Sequence, residues 1–256
     1  MKRSSKDLKK LAREALIGNY GNFAVVFLIY FVITFAVEMI PSLFSDNSTT
    51  SGIITAQVVA CILSLIISLL SVGLQKTAIN ITRREPVNVG DLFYAFRHHP
   101  DKYIIVSFLM ALIAVLFQIP TILLLVIMLM GNFSINTGMA VVLIILLALI
   151  LLLISVIVLL RYSLATILLM EHPEMSALES MQVSSQLMQG NKGRYFYLGL
   201  SFIGLELLAL LTCGIAYFWL TPYTMTTYMQ FYREVTGELD GDPRETDFTE
   251  YQDYWS

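Results

Sequence analysis

The sequence predicts an all-α polytopic membrane bundle of six spans, arranged as three repeats of an amphipathic interfacial helix plus a transmembrane hairpin. Three observations carry that prediction. Apolar residues make up 57% of the chain and charged residues 14%, and several apolar runs exceed the roughly 18 residues a helix needs to cross a bilayer. The motif Gly-Asn-x-Gly occurs twice, at Gly18-Asn19-Tyr20-Gly21 and at Gly190-Asn191-Lys192-Gly193. The offset between the copies also lays Ser4 on Ser176 and Asp7 on Glu179, two capping-box patterns at equal distance from the two motifs. With six spans, all 16 lysines and arginines fall on one side of the membrane.

Taken in order, residues 1–22 form a basic cytoplasmic segment. Leu8, Leu11, Ala12, Ala15 and Leu16 recur at helical spacing and share a face, with Lys6, Lys9, Lys10 and Arg13 on the remainder. Ser4 and Asp7 cap its start, and Gly18 is placed for the left-handed turn that ends a helix. Such a helix is expected to lie on the anionic inner leaflet. The alternative is a solvated charged helix with a structural apolar stripe.

The membrane domain, 23–232, is expected to hold spans at about 23–40, 52–74, 103–130, 139–160, 195–211 and 215–231. The first run ends at Pro41 without a small-residue cleavage site and is expected to remain as an anchor. The second carries small residues at every fourth position (Gly52, Ala56, Ala60, Ser64, Ser68), which suits close helix packing or a polar path. Polar residues 76–102 contain a second cap pattern, Asn88 with Asp91, and an apolar face of Val89, Leu92, Phe93 and Phe96. Pro120 lies inside the third span, where a kink or tilt is expected. The fourth is expected to continue helically past Arg161 to Met170. The third amphipathic helix follows, with Leu178, Met181 and Met188 on one face. Thr212-Cys213-Gly214 reads as a tight turn before the last span, which Arg233 is expected to stop. Residues 233–256 form an acidic tail, expected to be cytoplasmic and largely disordered.

Counting cations sets the topology. The N-terminal segment, residues 76–102, Arg161, Lys192, Arg194, Arg233 and Arg244 hold every one, so the positive-inside rule places both termini in the cytoplasm. A five-span alternative, with 195–220 as one helix, would strand Arg233 and Arg244 outside. The localisation implied is the plasma membrane, multi-pass.

Ionisable residues within spans are functional candidates, because charge in lipid costs several kcal/mol. Glu206 lies roughly 16 Å into the fifth span at about 1.5 Å per residue, near the midplane. It reads as a protonated carboxyl bonded to a neighbouring helix, as a proton or cation site, or as a headgroup site. Ser64 should lie at similar depth. Glu38 sits nearer the outer boundary, and Gln118 is explained by helix–helix hydrogen bonding. Gly18, Asn19, Gly21, Gly190, Asn191 and Gly193 read as structural turns. Cys61 and Cys213 read as small core residues, and the adjacent His98 and His99 as a poor metal pair. The chain contains no His-Glu-x-x-His, Gly-x-Ser-x-Gly or Walker motif. No catalytic residue, cofactor site, metal site or nucleic-acid partner is assigned.

Glu179-Ser180, the run Leu187-Met188-Gln189-Gly190-Asn191-Lys192, Phe202-Ile203-Gly204, Pro222-Tyr223 and Phe231-Tyr232 resemble the domain of unknown function 975 family. The helix leading to Gly18-Asn19 and the region from Gly73-Leu74 to Phe93 fit as well. A more distant similarity is to the membrane domain attached to some glycerophosphodiester phosphodiesterases, which has no catalytic residues of its own. Family members often carry Trp where this chain has Leu205. The resemblance implies a bacterial integral membrane protein and no established activity. The function expected is therefore that of a non-enzymatic envelope protein. Its partners are the lipid bilayer, anionic inner-leaflet lipids, and a protein or a second copy of the chain. The alternative is a small-molecule, ion or lipid transporter using Glu206.

Overall fold

A computed structural model of the chain describes residues 2–44, 50–130 and 137–240. Among the described residues the regular structure is helical: α1 (Ser5–Leu16), α2 (Tyr20–Glu38), α3 (Ile40–Phe44), α4 (Thr50–Arg83), α5 (Tyr94–Arg97), α6 (Pro100–Met130), α7 (Thr137–Leu159), α8 (Ala165–Glu171), α9 (Ala177–Leu187), α10 (Lys192–Leu200), α11 (Ile203–Leu211) and α12 (Tyr217–Val235). Short 3-10 turns cover Val89–Phe93, Leu160–Tyr162 and Glu238–Asp240. Five stretches are long and apolar enough to cross a membrane: Tyr20–Phe44, Ser51–Arg83, Pro100–Ile127, Val141–Glu171 and Lys192–Leu211. The protein is all-α, with the helices of a membrane protein. The loop around residues 45–49, the connection 131–136 and the tail 241–256, all addressed by the sequence reading, lie outside the described residues.

Of the three predicted caps, the two related by the repeat form with matching geometry, and at Asn88 the backbone N–H donates to the Asp91 carboxylate. Ser4 (φ −74°, ψ 161°) accepts from the Asp7 N–H while its own N–H donates to the Asp7 carboxylate at 3.0 Å. Ser176 (φ −76°, ψ 161°) makes the same reciprocal pair with Glu179. At the far ends Gly18 (φ +82°) and Gly190 (φ +71°) take the left-handed turn, a conformation glycine adopts without steric cost. Ser176→Ala removes one of these caps and is expected to destabilise the fold by about 1 kcal/mol. A lower melting temperature of the detergent-purified variant checks it.

The amphipathic helices do not lie apart from the bundle. Leu8, Ala12 and Leu16 of α1 are fully buried, and α1 packs on α12 and α4. The apolar stripe that the sequence assigns to the inner leaflet is therefore covered by protein, and most of the cations remain on the outer side. In α9 the buried face is Ala177, Ser180, Met181, Val183, Ser184 and the following Met188, whereas Leu178 is 63% exposed. Met181 and Met188 of the expected face are inward and Leu178 is not, and small Ser180 and Ser184 share the inward face, Ser184 against the chain between α7 and α8. The second expected amphipathic helix is a 3-10 turn joined to the one-turn α5. Only Leu92 and Ala95 are buried there, with Val89, Phe93 and Phe96 exposed.

Boundaries differ where side chains supply what the local sequence does not advertise. The second span continues as helix to Arg83, so residues 76–83, expected as a polar connection, extend α4. Its polar positions Thr77, Asn80 and Thr82 are buried against neighbours. α12 continues two residues past Arg233, to Val235, and the Arg233 guanidinium meets the Thr82 carbonyl and Glu238. The fourth span does not run unbroken to Met170, since a 3-10 turn and residues Ser163–Leu164 separate α7 from α8. Residues 195–220 are not one helix either, because Cys213 (φ +52°) and Gly214 (φ +87°) turn the chain between α11 and α12.

The packed core gathers at one end. Its main cluster joins Leu8, Leu16, Phe23, Leu74, Leu164, Phe202 and Phe231, and a smaller one joins Leu69, Val72, Tyr103, Val106 and Met181. The remaining lengths of α2, α4, α6, α7 and α11 expose rows of Leu, Ile, Val and Phe, the surface a hydrocarbon environment covers. Cys61 and Cys213 are free and exposed, a correction to their reading as core residues: the apolar segments that carry them face outward. α12 is the most polar of the long helices and also interior, with Thr226, Thr227, Gln230 and Phe231 buried.

Candidate functional site

The four polar residues singled out within the spans stay separate. Glu206 lies on α11 and is exposed, flanked along the helix by exposed Leu205, Leu207 and Leu208. The Tyr228 hydroxyl of α12 is within electrostatic reach of its carboxylate. Ser64 is exposed, and its hydroxyl donates to the Cys61 carbonyl of its own helix at 2.7 Å. Glu38 is the last residue of α2 and is exposed, whereas Gln118 on α6 is half-buried. Among the described residues no hydrogen bond joins any two of the four. In the turn motifs, Asn191 donates from Nδ2 to the Leu187 carbonyl at 2.9 Å. Gly21 and Gly193 are exposed and lie in the first turns of α2 and α10, one helix residue past the turns that Gly18 and Gly190 make.

Two helix breaks stand out, because backbone groups freed within packed structure must find partners. At the α10–α11 break the Leu205 N–H turns to the Phe202 carbonyl at 2.9 Å. That leaves the Ser201 carbonyl, which accepts from Lys9 Nζ at 2.8 Å. The Lys9 ammonium also sits 3.8 Å from the Phe202 ring centroid, a cation–π arrangement. Burial, with the Arg13 charge second, holds Lys9 below its ordinary pKa. At the α7–α8 break Ser184 of α9 serves both sides: its hydroxyl donates to the Arg161 carbonyl at 2.9 Å and accepts from the Leu164 N–H at 3.1 Å. α1 and α9 thus each supply a side chain to an interrupted helix.

The densest polar constellation is one the sequence reading missed. It gathers around the C-terminal end of α12. Arg194 pairs with Glu234 at 2.7 Å, and the Arg3 N–H donates to the same carboxylate at 2.6 Å. Arg3 reaches Asp240 at 2.7 Å. Arg83 pairs with Glu171 at 2.5 Å and holds Glu238 with two hydrogen bonds of 3.0 Å. Arg233 donates to Glu238 at 2.8 Å and to the Thr82 carbonyl at 2.6 Å. Burial opposes the charge on Glu238, but the hydrogen bonds and charges of Arg83 and Arg233 outweigh it and hold the carboxyl below its ordinary value. The available signal was weak: Glu234 and Glu238 are spaced one helical turn apart beside Arg233, but their partners come from distant segments.

Two cavities open beside this network. One, of about 310 Å³, is lined by Arg83, Arg84, Arg233, Gln230 and Leu239, with Glu14 and Leu11 from α1. The other, of about 330 Å³, is lined by Arg3, Arg194, Tyr197, Phe231 and Leu8. Neither contains Glu206, Ser64, Glu38 or Gln118.

A family model described as "Protein of unknown function (DUF975)" matches residues 1–238. No curated protein and no solved structure matches the chain. The match spans α1 to the turn that carries Glu238, and so takes in the caps at Ser4 and Ser176, both helix breaks and the arginine–carboxylate network except Asp240. The chain belongs to the DUF975 family.

Proposed function

We propose that this is a non-enzymatic plasma-membrane protein that acts through a lipid or protein partner, with six spans, three like-oriented units and both termini in the cytoplasm. The carrying observation is the placement of its polar groups. Glu206 stands on an exposed apolar helix face outside both cavities, and the cavities lie among arginines at the opposite kind of surface. A carboxylate path through the bundle would favour transport; an exposed carboxyl on an apolar face favours contact with a neighbouring helix or headgroup.

The topology draws support from the contacts among cations. Lys2, Arg3, Arg83, Arg194 and Arg233 all engage the polar network at one end. Lys102 donates to the carbonyls of Pro173 and Met175 just past Glu171. α12 would be the sixth span, its polar residues shielded by α1, α2, α4 and α11 rather than by lipid. A reporter fused at either terminus is expected in the cytoplasm, and an external C-terminus would overturn the arrangement.

For function, Glu206→Gln is expected to leave proton and cation flux across reconstituted liposomes unchanged, with melting temperature intact. Abolition of a flux by that variant would transfer the protein to the transporters. Unaided turnover of a lipid or peptide by the purified chain would sink the non-enzymatic reading.

A further inference from the structure

We propose that the cavity between α1, α4 and α12 is a binding site for a phosphate oxyanion, and that Glu238 is its internal counter-ligand. The inference rests on the lipid half of the function proposed above, and gives that ligand a place and a chemistry.

The geometry around Glu238 is that of an anion clamp. One oxygen, Oε1, accepts from Arg83 Nε at 3.0 Å and from Arg233 Nε at 2.8 Å, and Oε2 accepts from the second fork of Arg83 at 3.0 Å. One guanidinium fork and a second guanidinium N–H converging on one oxyanion are an arrangement that suits phosphate.

Neither arginine depends on Glu238 for its position. Arg83 is also held by Glu171, and Arg233 by the Thr82 carbonyl at 2.6 Å and Gln230 at 3.4 Å. The clamp is therefore preorganised from its far side, as a binding site requires. The adjoining space of about 310 Å³ falls within the roughly 300–1,000 Å³ range of small-ligand pockets.

Glu238 is also placed to leave. It sits on a three-residue 3-10 turn beyond Gly237, whose φ is +84°. Its side chain is 27% exposed, whereas that of Glu234, the neighbouring acid in the network, is 5% exposed and sealed. Displacing Glu238 breaks no hydrogen bond within α12.

Arg84 supplies the third cation. It lines the cavity, is exposed, and no ion pair engages it among the described residues. Its backbone occupies the left-handed region (φ +60°) at the end of α4, where its N–H donates to Ile81 and that of Glu85 to Asn80. That helix-ending turn favours glycine, so the fold carries an arginine where its backbone alone would not choose one. Glu14 on the α1 wall opposes an anion, but it is engaged with Lys10 at 3.9 Å. Displacing Glu238 leaves three guanidinium groups facing the cavity against Glu171 and Glu14.

The test uses the full chain in detergent micelles, with phosphatidylglycerol, diacylglycerol, sn-glycerol 3-phosphate and inorganic phosphate as probes. Phosphatidylglycerol is expected to bind more tightly than diacylglycerol. Glu238→Gln, whose neutral amide competes poorly for two guanidinium groups, is expected to raise affinity at least about threefold. Arg84→Gly relieves the backbone and keeps the melting temperature, but is expected to lower affinity by a similar factor of about three. Competition by the soluble phosphates assigns the site to free phosphate; its absence, with phosphatidylglycerol bound, assigns it to a lipid headgroup. Unchanged affinity for every probe in Arg84→Gly overturns the proposal whatever Glu238→Gln does, as does phosphatidylglycerol binding no better than diacylglycerol with neither soluble phosphate bound. The topology reporters and flux assays are independent of these outcomes, so a failure here leaves the broader function standing.

Discussion

Gly73→Ala is expected to prevent folding or to cost about 3 kcal/mol or more, at or beyond the upper end of ordinary overpacking penalties. Gly73 is buried in α4, against the 3-10 turn that carries Leu92. A Cβ at this position would stand 2.0 Å from the Leu92 carbonyl oxygen and 2.5 Å from its Cα. Those are backbone atoms, held by the burial of Leu92 and by the cap at Asn88, where Asp91 accepts from the Asn88 N–H at 3.0 Å. Relief requires moving the whole turn, not rotating a side chain. Gly204→Ala on α11 is the control: nothing lies within 4 Å of its added Cβ, and the change is expected to stay within about 0.5 kcal/mol of the parent. Thermal scans of the two variants in one detergent check the contrast. A parent-like melting temperature for Gly73→Ala would show that the turn is not packed on α4 as described.

Glu234→Gln is expected to cost about 3 kcal/mol, the low end for breaking a buried ion pair by removing one partner. The Glu234 side chain is 5% exposed and takes hydrogen bonds from Arg194 and from the Arg3 backbone. The amide keeps the shape and loses the charge, leaving Arg194 (25% exposed) without its counter-ion. The effect should appear as a lower melting temperature together with protease sensitivity of the first residues, because Arg3 and α1 are tied to α12 through this carboxylate. A destabilisation with the N-terminal segment still protected would place the loss elsewhere.

Local signals were legible in the sequence because they are local. The capping boxes at Ser4 and Ser176 depend on residues three apart, and the left-handed turns at Gly18 and Gly190 on one residue each. All formed as expected. The long apolar helices were legible because lipid-facing surface needs only hydrophobicity. What was obscured depends on contacts far apart in sequence. The apolar stripe of α1 was read correctly, but sequence periodicity does not distinguish a lipid surface from the flank of α12. The breaks at Ser163–Leu164 and Ser201–Phe202 carry no proline and become tolerable only when Ser184 and Lys9 arrive. The arginine–carboxylate network was missed because Arg194, Arg83 and Arg3 meet Glu234 and Glu238 across 40, 155 and 231 positions. Of the candidate site, the hydrophobic neighbours of Glu206 were visible beforehand, but not that it would stand outside both cavities.

The mended breaks impose an order on biogenesis. The Lys9 ammonium is synthesised early, yet the carbonyl it serves lies 192 positions downstream, so a nascent chain can pack α1 on α4 long before this contact can close. Until they meet, the Ser201 carbonyl at the α10–α11 break lacks its Lys9 partner. Ser184 follows Leu164 by 20 positions and can close its own gap almost as it leaves the ribosome. Maturation thus has a quick step and a late one, and a chain lacking its first helix would keep its remaining helices but leave the α10–α11 break without its lysine.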